Sequence, residues 1–233
     1  MVAELICSVD GLTIYELLAS GDDERIETML TLYAKFFPEY AHYVPRMRRR
    51  AQFSGDRREG HLAHYWLFEY EGEAVGLSTF RYIPKRKCGI GVSFAIETEA
   101  RSIRIGEKRL SAFVITEIMK ALRKDAERSN GESYGLVTEV EHPNLMEHYK
   151  TMGMLELPMK YLEPIYPPEE EGDDLQSRIE KISFVPVFLA ITPYKEFELS
   201  KSLLRNFAEA FLVDHYELPR SHPMVQKTLM SIT

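Results

Sequence analysis

Ser93-Phe94-Ala95-Ile96-Glu97-Thr98-Glu99-Ala100-Arg101-Ser102-Ile103-Arg104-Ile105-Gly106 is the stretch that decides the fold. Its front end closes an apolar run, Gly89–Ile96 (GIGVSFAI), whose character predicts a central strand. At Glu97 the chain turns abruptly polar. Further on, Leu110, Phe113, Val114, Ile118, Ala121 and Leu122 recur on one face, predicting a long helix from Gly106 to Arg128. A tight turn that feeds a helix start leaves backbone N–H groups aligned with the positive end of the helix dipole, where a pyrophosphate can accept them. Glycine at the closest approach keeps side chains out of the anion's way.

Upstream, Leu12–Leu18 reads as a first strand. Gly21-Asp22-Asp23 then signals a turn and helix N-cap. Ile26, Met29, Leu30, Tyr33 and Phe36 follow at helical spacing up to Pro38. A second helical piece covers about Glu39–Phe53, and 54–60 (SGDRREG) is a loop. His64–Tyr70 and Ala74–Tyr82 form a hairpin across Glu71-Gly72-Glu73, with Pro84–Lys87 as the next turn.

Downstream, Asn130-Gly131 breaks the long helix and Tyr134–Val140 is a strand. His142–Met152 is a short helix stopped by Gly153. Met154–Glu163 and Ile182–Ile191 are further strands, separated by an acidic loop at Glu169–Asp174. A helix opens after Pro193, with Leu203, Leu204, Phe207, Ala208, Phe211 and Leu212 as its stripe; from Pro219 the chain reads as irregular. Hairpins at one end and a β–α–β crossover through the long helix predict an α/β fold, with a mixed, mostly antiparallel central sheet flanked by helices and an extra C-terminal helix. The expected organisation is one domain over residues 1–192, with 193–233 as a helical extension packed on it.

The composition bounds the rest. The net charge of −7 argues against broad attraction to nucleic acid or an anionic membrane surface. Cys7 and Cys88 provide no disulfide framework and no zinc spacing. The start of the chain lacks a signal-peptide pattern, and no apolar run is long enough to span a membrane, so a reducing cytoplasmic setting is expected.

The strand, turn and helix around Arg101–Gly106 resemble the GNAT (Gcn5-related N-acetyltransferase) family, whose motif is Arg/Gln-x-x-Gly-x-Gly/Ala. Arg101 and Gly106 match it, whereas Arg104 stands where the first Gly belongs. Arg104 either crowds the phosphate or swings outward and neutralises its charge. A second match lies in Tyr149-Lys-Thr-Met-Gly153-Met154, which keeps the family's Tyr-to-Gly spacing with Met in place of Phe. The family's Asn falls on His142, with Asn144 two residues later. The resemblance implies an N-acyltransferase using acetyl-CoA, or another acyl-CoA, with a small-molecule or peptide amine as acceptor.

It further implies that Phe94, Ala95 and Ile96 pair with the pantetheine arm, and that the amides from Arg101 through Ser102, Ile103, Arg104, Ile105, Gly106 and Glu107 hold the pyrophosphate. Tyr149 then protonates the leaving thiolate. The family's carboxylate is absent from Gly89–Ile96, so Glu139, followed by Glu141 and His142, is the candidate base. The departures equally suit a non-catalytic GNAT-like module that binds acyl-CoA or a protein partner. Arg46, Arg48, Arg49 and Arg50 read as a solvated helix face or as the border of an anionic acceptor pocket. His61-x-x-His64 lacks a third ligand, so no metal site is expected. The stripe of the last helix suits core or a homodimer interface.

Overall fold

The computed structural model describes residues 3–52, 62–168 and 174–232. By contacts the chain divides into two units: Met1–Tyr82 with Gly91–Asp125, and Ile83–Ile90 with Ala126–Thr233. The division runs through strands and the long helix.

In the first unit, β1 (Glu4–Val9) and β2 (Leu12–Glu16) form a hairpin across Asp10-Gly11, both with positive φ. That turn demands a glycine or a short polar residue, and Asp-Gly supplies both. Helix α1 (Asp23–Phe36) is capped by Asp22, whose carboxylate accepts from the Arg25 N–H, and α2 spans Val44–Gln52. Strands β3 (Leu62–Tyr70) and β4 (Glu73–Ile83) pair antiparallel, and β5 (Cys88–Ile96) lies next to β4.

Strand periodicity sorts this sheet into two faces. Leu17, Tyr65, Leu67 and Leu77 pack with Ile26, Met29, Leu30, Met47 and Ala51 of α1 and α2. The alternate residues Glu16, His64, Trp66 and Phe80 face the other way, where Asp125 meets them. After β5 come the two-residue strands β6 (Arg104–Ile105) and β7 (Lys108–Arg109), then α3 (Leu110–Arg128). Leu110, Val114, Ile118, Leu122, Asp125 and Ala126 are buried at the expected helical spacing. The helix starts at Leu110, four residues later than predicted, because Gly106 adopts a left-handed turn that folds the preceding segment into a hairpin.

The second unit contains β8 (Gly135–Val140), α4 (Pro143–Lys150), β9 (Leu155–Glu156), β10 (Tyr161–Ile165), α5 (Leu175–Glu180), β11 (Ser183–Pro193), α6 (Lys201–Leu212) and α7 (Pro223–Met230). Strand β11 pairs antiparallel with β8, β9 and β10. The predicted strand Met154–Glu163 is thus two short strands. Helix α6 begins only after Ser200, which caps it, because Pro193 still pairs with Gly135 in the sheet. Helix α7 occupies residues read as irregular, and both α6 and α7 pack on β10. No described helix is long and apolar enough to cross a membrane.

Candidate functional site

In the first unit, Ile96 is buried while Phe94 and Ala95 are half-buried. The missing side chain of Gly76 admits this backbone: a Cβ there would fall 2.5 Å from the Ala95 carbonyl oxygen. Arg101 Nε donates to the Ile96 carbonyl (3.3 Å), tying the following 3-10 turn back to the strand end. In the β6–β7 hairpin Arg104 pairs with Arg109 and Ile105 with Lys108. Arg104 Nη1 donates to the Glu107 carbonyl (2.9 Å), and the Gly106 N–H donates to Asp10 Oδ2 (3.0 Å). Ile105 and Leu110 are buried; Arg101, Ser102, Arg104, Glu107, Lys108 and Arg109 are exposed, and Ile103 is half-buried.

This arrangement suits a phosphate in its charge more than in its amides. Arg101, Arg104, Lys108 and Arg109 crowd basic groups onto a loop that precedes a helix with no acid in its first turn. The Gly106 amide, however, already serves Asp10. The free helix donors start beyond Leu110, whose own N–H bonds the Ile103 carbonyl (2.9 Å).

In the second unit the strand registers fix what Glu139 meets. Glu139 stands opposite Leu189, Tyr161 opposite Val187 and Glu163 opposite Val185, so Glu139, Tyr161 and Glu163 share one sheet face. The hydroxyls of Tyr161 and Tyr216 donate to Glu139 Oε1 (2.6 Å) and Oε2 (2.8 Å). Tyr216 also lies 3.3 Å from Glu163 Oε1, and its carbonyl accepts from the Tyr166 hydroxyl. Burial, then repulsion from Glu163, raises the Glu139 carboxyl well above the usual carboxylate range; the two tyrosine hydrogen bonds act against this. Glu139 is therefore a half-buried member of a Glu–Tyr cluster.

Tyr149 lies on the other face. It packs with Phe188 against Val140, Met146, Met154 and Ala190. Val140 follows Glu139 directly, so the strand aims the two in opposite directions. Tyr149 and Glu139, the acid and base expected from the sequence, thus lie on opposite faces of the sheet. His142 caps α4 and is exposed, as are Asn144 and Glu141. Tyr161 and Glu163 were legible as polar residues at period two in a strand, whereas Tyr216 follows α6 in a segment that carries no periodic signal.

His64 is no ligand. Nδ1 meets Glu16 Oε2 at 2.6 Å and Nε2 meets Asp125 Oδ2 at 2.7 Å, so both ring nitrogens are occupied. Its proposed neighbour His61 lies outside the described residues. Among the described residues no cluster of His, Cys, Asp or Glu is suited to holding a metal ion.

No protein-family profile matches the sequence, and no curated protein matches it. Solved structures do. A GNAT-family protein from Bacteroides thetaiotaomicron, assigned as an acetyltransferase, aligns over 88% of this chain and 99% of its own, with TM-score 0.51 and 15% identity. The Salmonella typhimurium acetyltransferase that modifies the N-terminal serine of ribosomal protein L7/L12 aligns over 82% and 100%, with TM-score 0.47 and 13% identity. A Campylobacter jejuni N-acetyltransferase aligns over 79% and 99%, with TM-score 0.41 and 11% identity. The fold is that of the GNAT acetyltransferases, a mixed, mostly antiparallel sheet with helices, here followed by C-terminal helices.

Proposed function

We propose that the chain is an acyl-CoA-dependent N-acyltransferase that moves an acyl group, acetyl in the simplest case, onto a primary amine of a small molecule or peptide. The observation that carries this reading is the likeness of its fold to the Bacteroides protein over nearly the whole chain. The basic loop from Arg101 to Arg109 and the Tyr149-to-Gly153 spacing support it locally. Acyl-CoA is the donor substrate: Arg101 and Arg104 attract its phosphates, and the backbone of Phe94–Ile96 binds its pantetheine arm.

The neutral amine attacks the thioester carbonyl carbon, the C–S bond breaks, and Tyr149 gives its proton to the departing thiolate. The proton shed by the amine passes to solvent, and the tyrosinate regains one from solvent, leaving an amide and free CoA thiol. Catalysis comes mainly from holding two substrates in line. Glu139 is not assigned as the base, because it points away from the face that carries Tyr149.

The hairpin ahead of α3, with the Gly106 amide engaged by Asp10, favours a second reading in which acyl-CoA or a protein partner binds without turnover. The test is thermal stabilisation by acetyl-CoA and CoA, followed by thiol release with a panel of amines. A ligand at 100 times its Kd adds about 2.7 kcal/mol, an easily read shift. A shift lost in Arg104→Glu, together with amine-dependent thiol release, upholds the enzyme. A shift without release leaves the binding module, and no shift removes both acyl-CoA readings.

A further inference from the structure

Within the first unit, two turns far apart in sequence are joined by one hydrogen bond: the Gly106 N–H donates to Asp10 Oδ2 (3.0 Å) across 96 residues. Both ends of that bond are set by the backbone. Val9 pairs with Leu12, so Asp10-Gly11 is a two-residue connection, and φ values of +47° and +79° place both residues in the left-handed region such a turn requires. The Glu71 N–H donates to the Gly11 carbonyl (2.8 Å), which fastens this turn to the one between β3 and β4. Asp10 is thus delivered by a braced turn. On the other side Ile105 pairs with Lys108, and Gly106 turns the chain with φ +56°. A Cβ on Gly106 would meet nothing within 4 Å, and Asp10 and Gly106 are both exposed, so the contact is open to exchange with a ligand.

Chemically this is an anion seated on a backbone donor. A carboxylate oxygen and a phosphate oxygen make the same charge-assisted bond to an N–H. The loop around Gly106 is basic. Arg101 Nε donates to the Ile96 carbonyl (3.3 Å), Arg104 Nη1 to the Glu107 carbonyl (2.9 Å) and Lys108 Nζ to the Thr116 hydroxyl (3.0 Å). These three acceptors are neutral, so the bonds orient the cations without cancelling their charge. Asp10 is the carboxylate that the fold brings to this loop through a hydrogen bond. A phosphate approaching the same amide meets like charge at close range, so the two anions compete for it. One exposed hydrogen bond is a modest barrier, readily exchanged for another.

We propose that Asp10 is a built-in competitor at the phosphate loop, an autoinhibitory contact whose carboxylate holds the Gly106 amide until a phosphate oxygen of acyl-CoA displaces it. This rests on the acyl-CoA reading of the loop and adds how entry to it is controlled. Isothermal titration of the full chain with acetyl-CoA tests it. Asp10→Gly and Asp10→Asn both keep the turn, since Gly-Gly and Asn-Gly suit two left-handed positions as well as Asp-Gly does. Asp10→Gly binds acetyl-CoA about fivefold to tenfold more tightly than the native chain at low ionic strength. The gain fades in about 1 M salt, where charges are screened within about 3 Å. Asp10→Asn, which loses the charge and keeps an oxygen acceptor, gains in the same direction by a smaller factor. Glu71→Gln removes an exposed acid from the neighbouring turn and leaves the affinity within about twofold. Equal affinity in the native chain and Asp10→Gly overturns the proposal while the acyl-CoA reading stands. An equal gain in Glu71→Gln and Asp10→Gly also overturns it, because it marks a general relief of negative charge. Should Asp10→Gly fail to fold, unchanged affinity in Asp10→Asn at low salt overturns it by itself. Absence of acetyl-CoA binding in every one of these chains removes the acyl-CoA reading itself, and the proposal with it.

Discussion

His64 Nε2 lies 2.7 Å from Asp125 Oδ2, joining β3 to α3 across 61 residues of sequence, while Nδ1 lies 2.6 Å from Glu16 Oε2. Glu16 also accepts from the N–H groups of Tyr65 and Leu18 and from the Trp66 indole, so it is held as an acceptor. Burial alone would lower the pKa of His64; the two carboxylates override it and raise the group from 6.5 to about 9. Because the folded state holds this proton more tightly than the unfolded chain, the stabilisation is full below pH 6.5 and is lost as pH rises through about 9. The shift corresponds to about 3 kcal/mol. His64→Gln should lose about that much stability at neutral pH and flatten the curve between pH 6.5 and 9, as read by urea unfolding across that range.

Arg86 should be the most costly single charge to remove. It is 6% exposed, its Nε meets Asp214 Oδ2 at 2.6 Å, and it also pairs with Glu209. Lys85 and Arg220 back the same two acids from outside, at 2.6 and 2.7 Å. Thus the turn after β4 grips the end of α6 within the second unit. Arg86→Met would take from two largely buried carboxylates their most deeply buried partner, at a cost of about 3 kcal/mol. Truncating the surface pair Lys87–Glu132 (3.0 Å) with Lys87→Ala should leave the unfolding midpoint almost unchanged by comparison.

Tyr149 and Glu139 can be told apart by experiment, because Glu139 leaves β8 on one face while Tyr149, on α4, packs on the other. If the acyl-transfer reading holds, Tyr149→Phe lowers kcat by about 10²-fold or more without lowering the melting temperature. Glu139→Gln should leave kcat within about threefold and act on stability instead. With its folded pKa raised, Glu139 holds a proton that the unfolded chain releases above 4.5, so the native protein loses stability as pH climbs beyond that value. Glu139→Gln removes this dependence, and its stability should fall less steeply with alkalinity than that of the native protein. A large kcat loss in Glu139→Gln with unchanged Tyr149→Phe activity would reverse the two roles.

What the sequence made legible follows periodicity. The stripe Leu110, Val114, Ile118 and Leu122 located α3, and Glu71-Gly72 located the β3–β4 turn. Asp10-Gly11 carries an equally strong turn signal, yet β1 is hard to read because the six residues before the turn hold too little alternation to mark a strand. Asp125 sits on the apolar stripe of α3, a charge out of place whose partner only the fold reveals. The start of α3 was misplaced because Lys108 and Arg109 are good helix formers, whereas the burial of Ile105 selects a hairpin there. Parity along β8 already separated Glu139 from Val140, but which face α4 covers depends on packing far along the chain. Likewise only the register of β3 with β4 puts Arg81 on the sheet face of Tyr65.

The neighbourhood of β4 and β5 sets the constraint at Gly76. Its φ is not in the left-handed region, so its role is space rather than backbone freedom. A Cβ at this position would lie 2.5 Å from the Ala95 carbonyl oxygen and 3.2 Å from Ile96 Cα, both backbone atoms that no rotamer change can move aside. The strand must therefore shift, breaking the neighbouring Glu97 N–H to Val75 carbonyl bond (2.8 Å) or straining it. Gly76→Ala should cost about 3 kcal/mol by overpacking. Gly72→Ala is the matched control: nothing lies within 4 Å of its Cβ, but φ is +87°, so it should cost about 1–2 kcal/mol through backbone strain alone. If Phe94–Ile96 binds the pantetheine arm as proposed, Gly76→Ala should also weaken acetyl-CoA stabilisation, while Gly72→Ala should leave it intact. Urea unfolding with and without acetyl-CoA reads both effects. Equal ligand shifts in the two variants would detach the edge of β5 from acyl-CoA binding and leave only the packing argument standing.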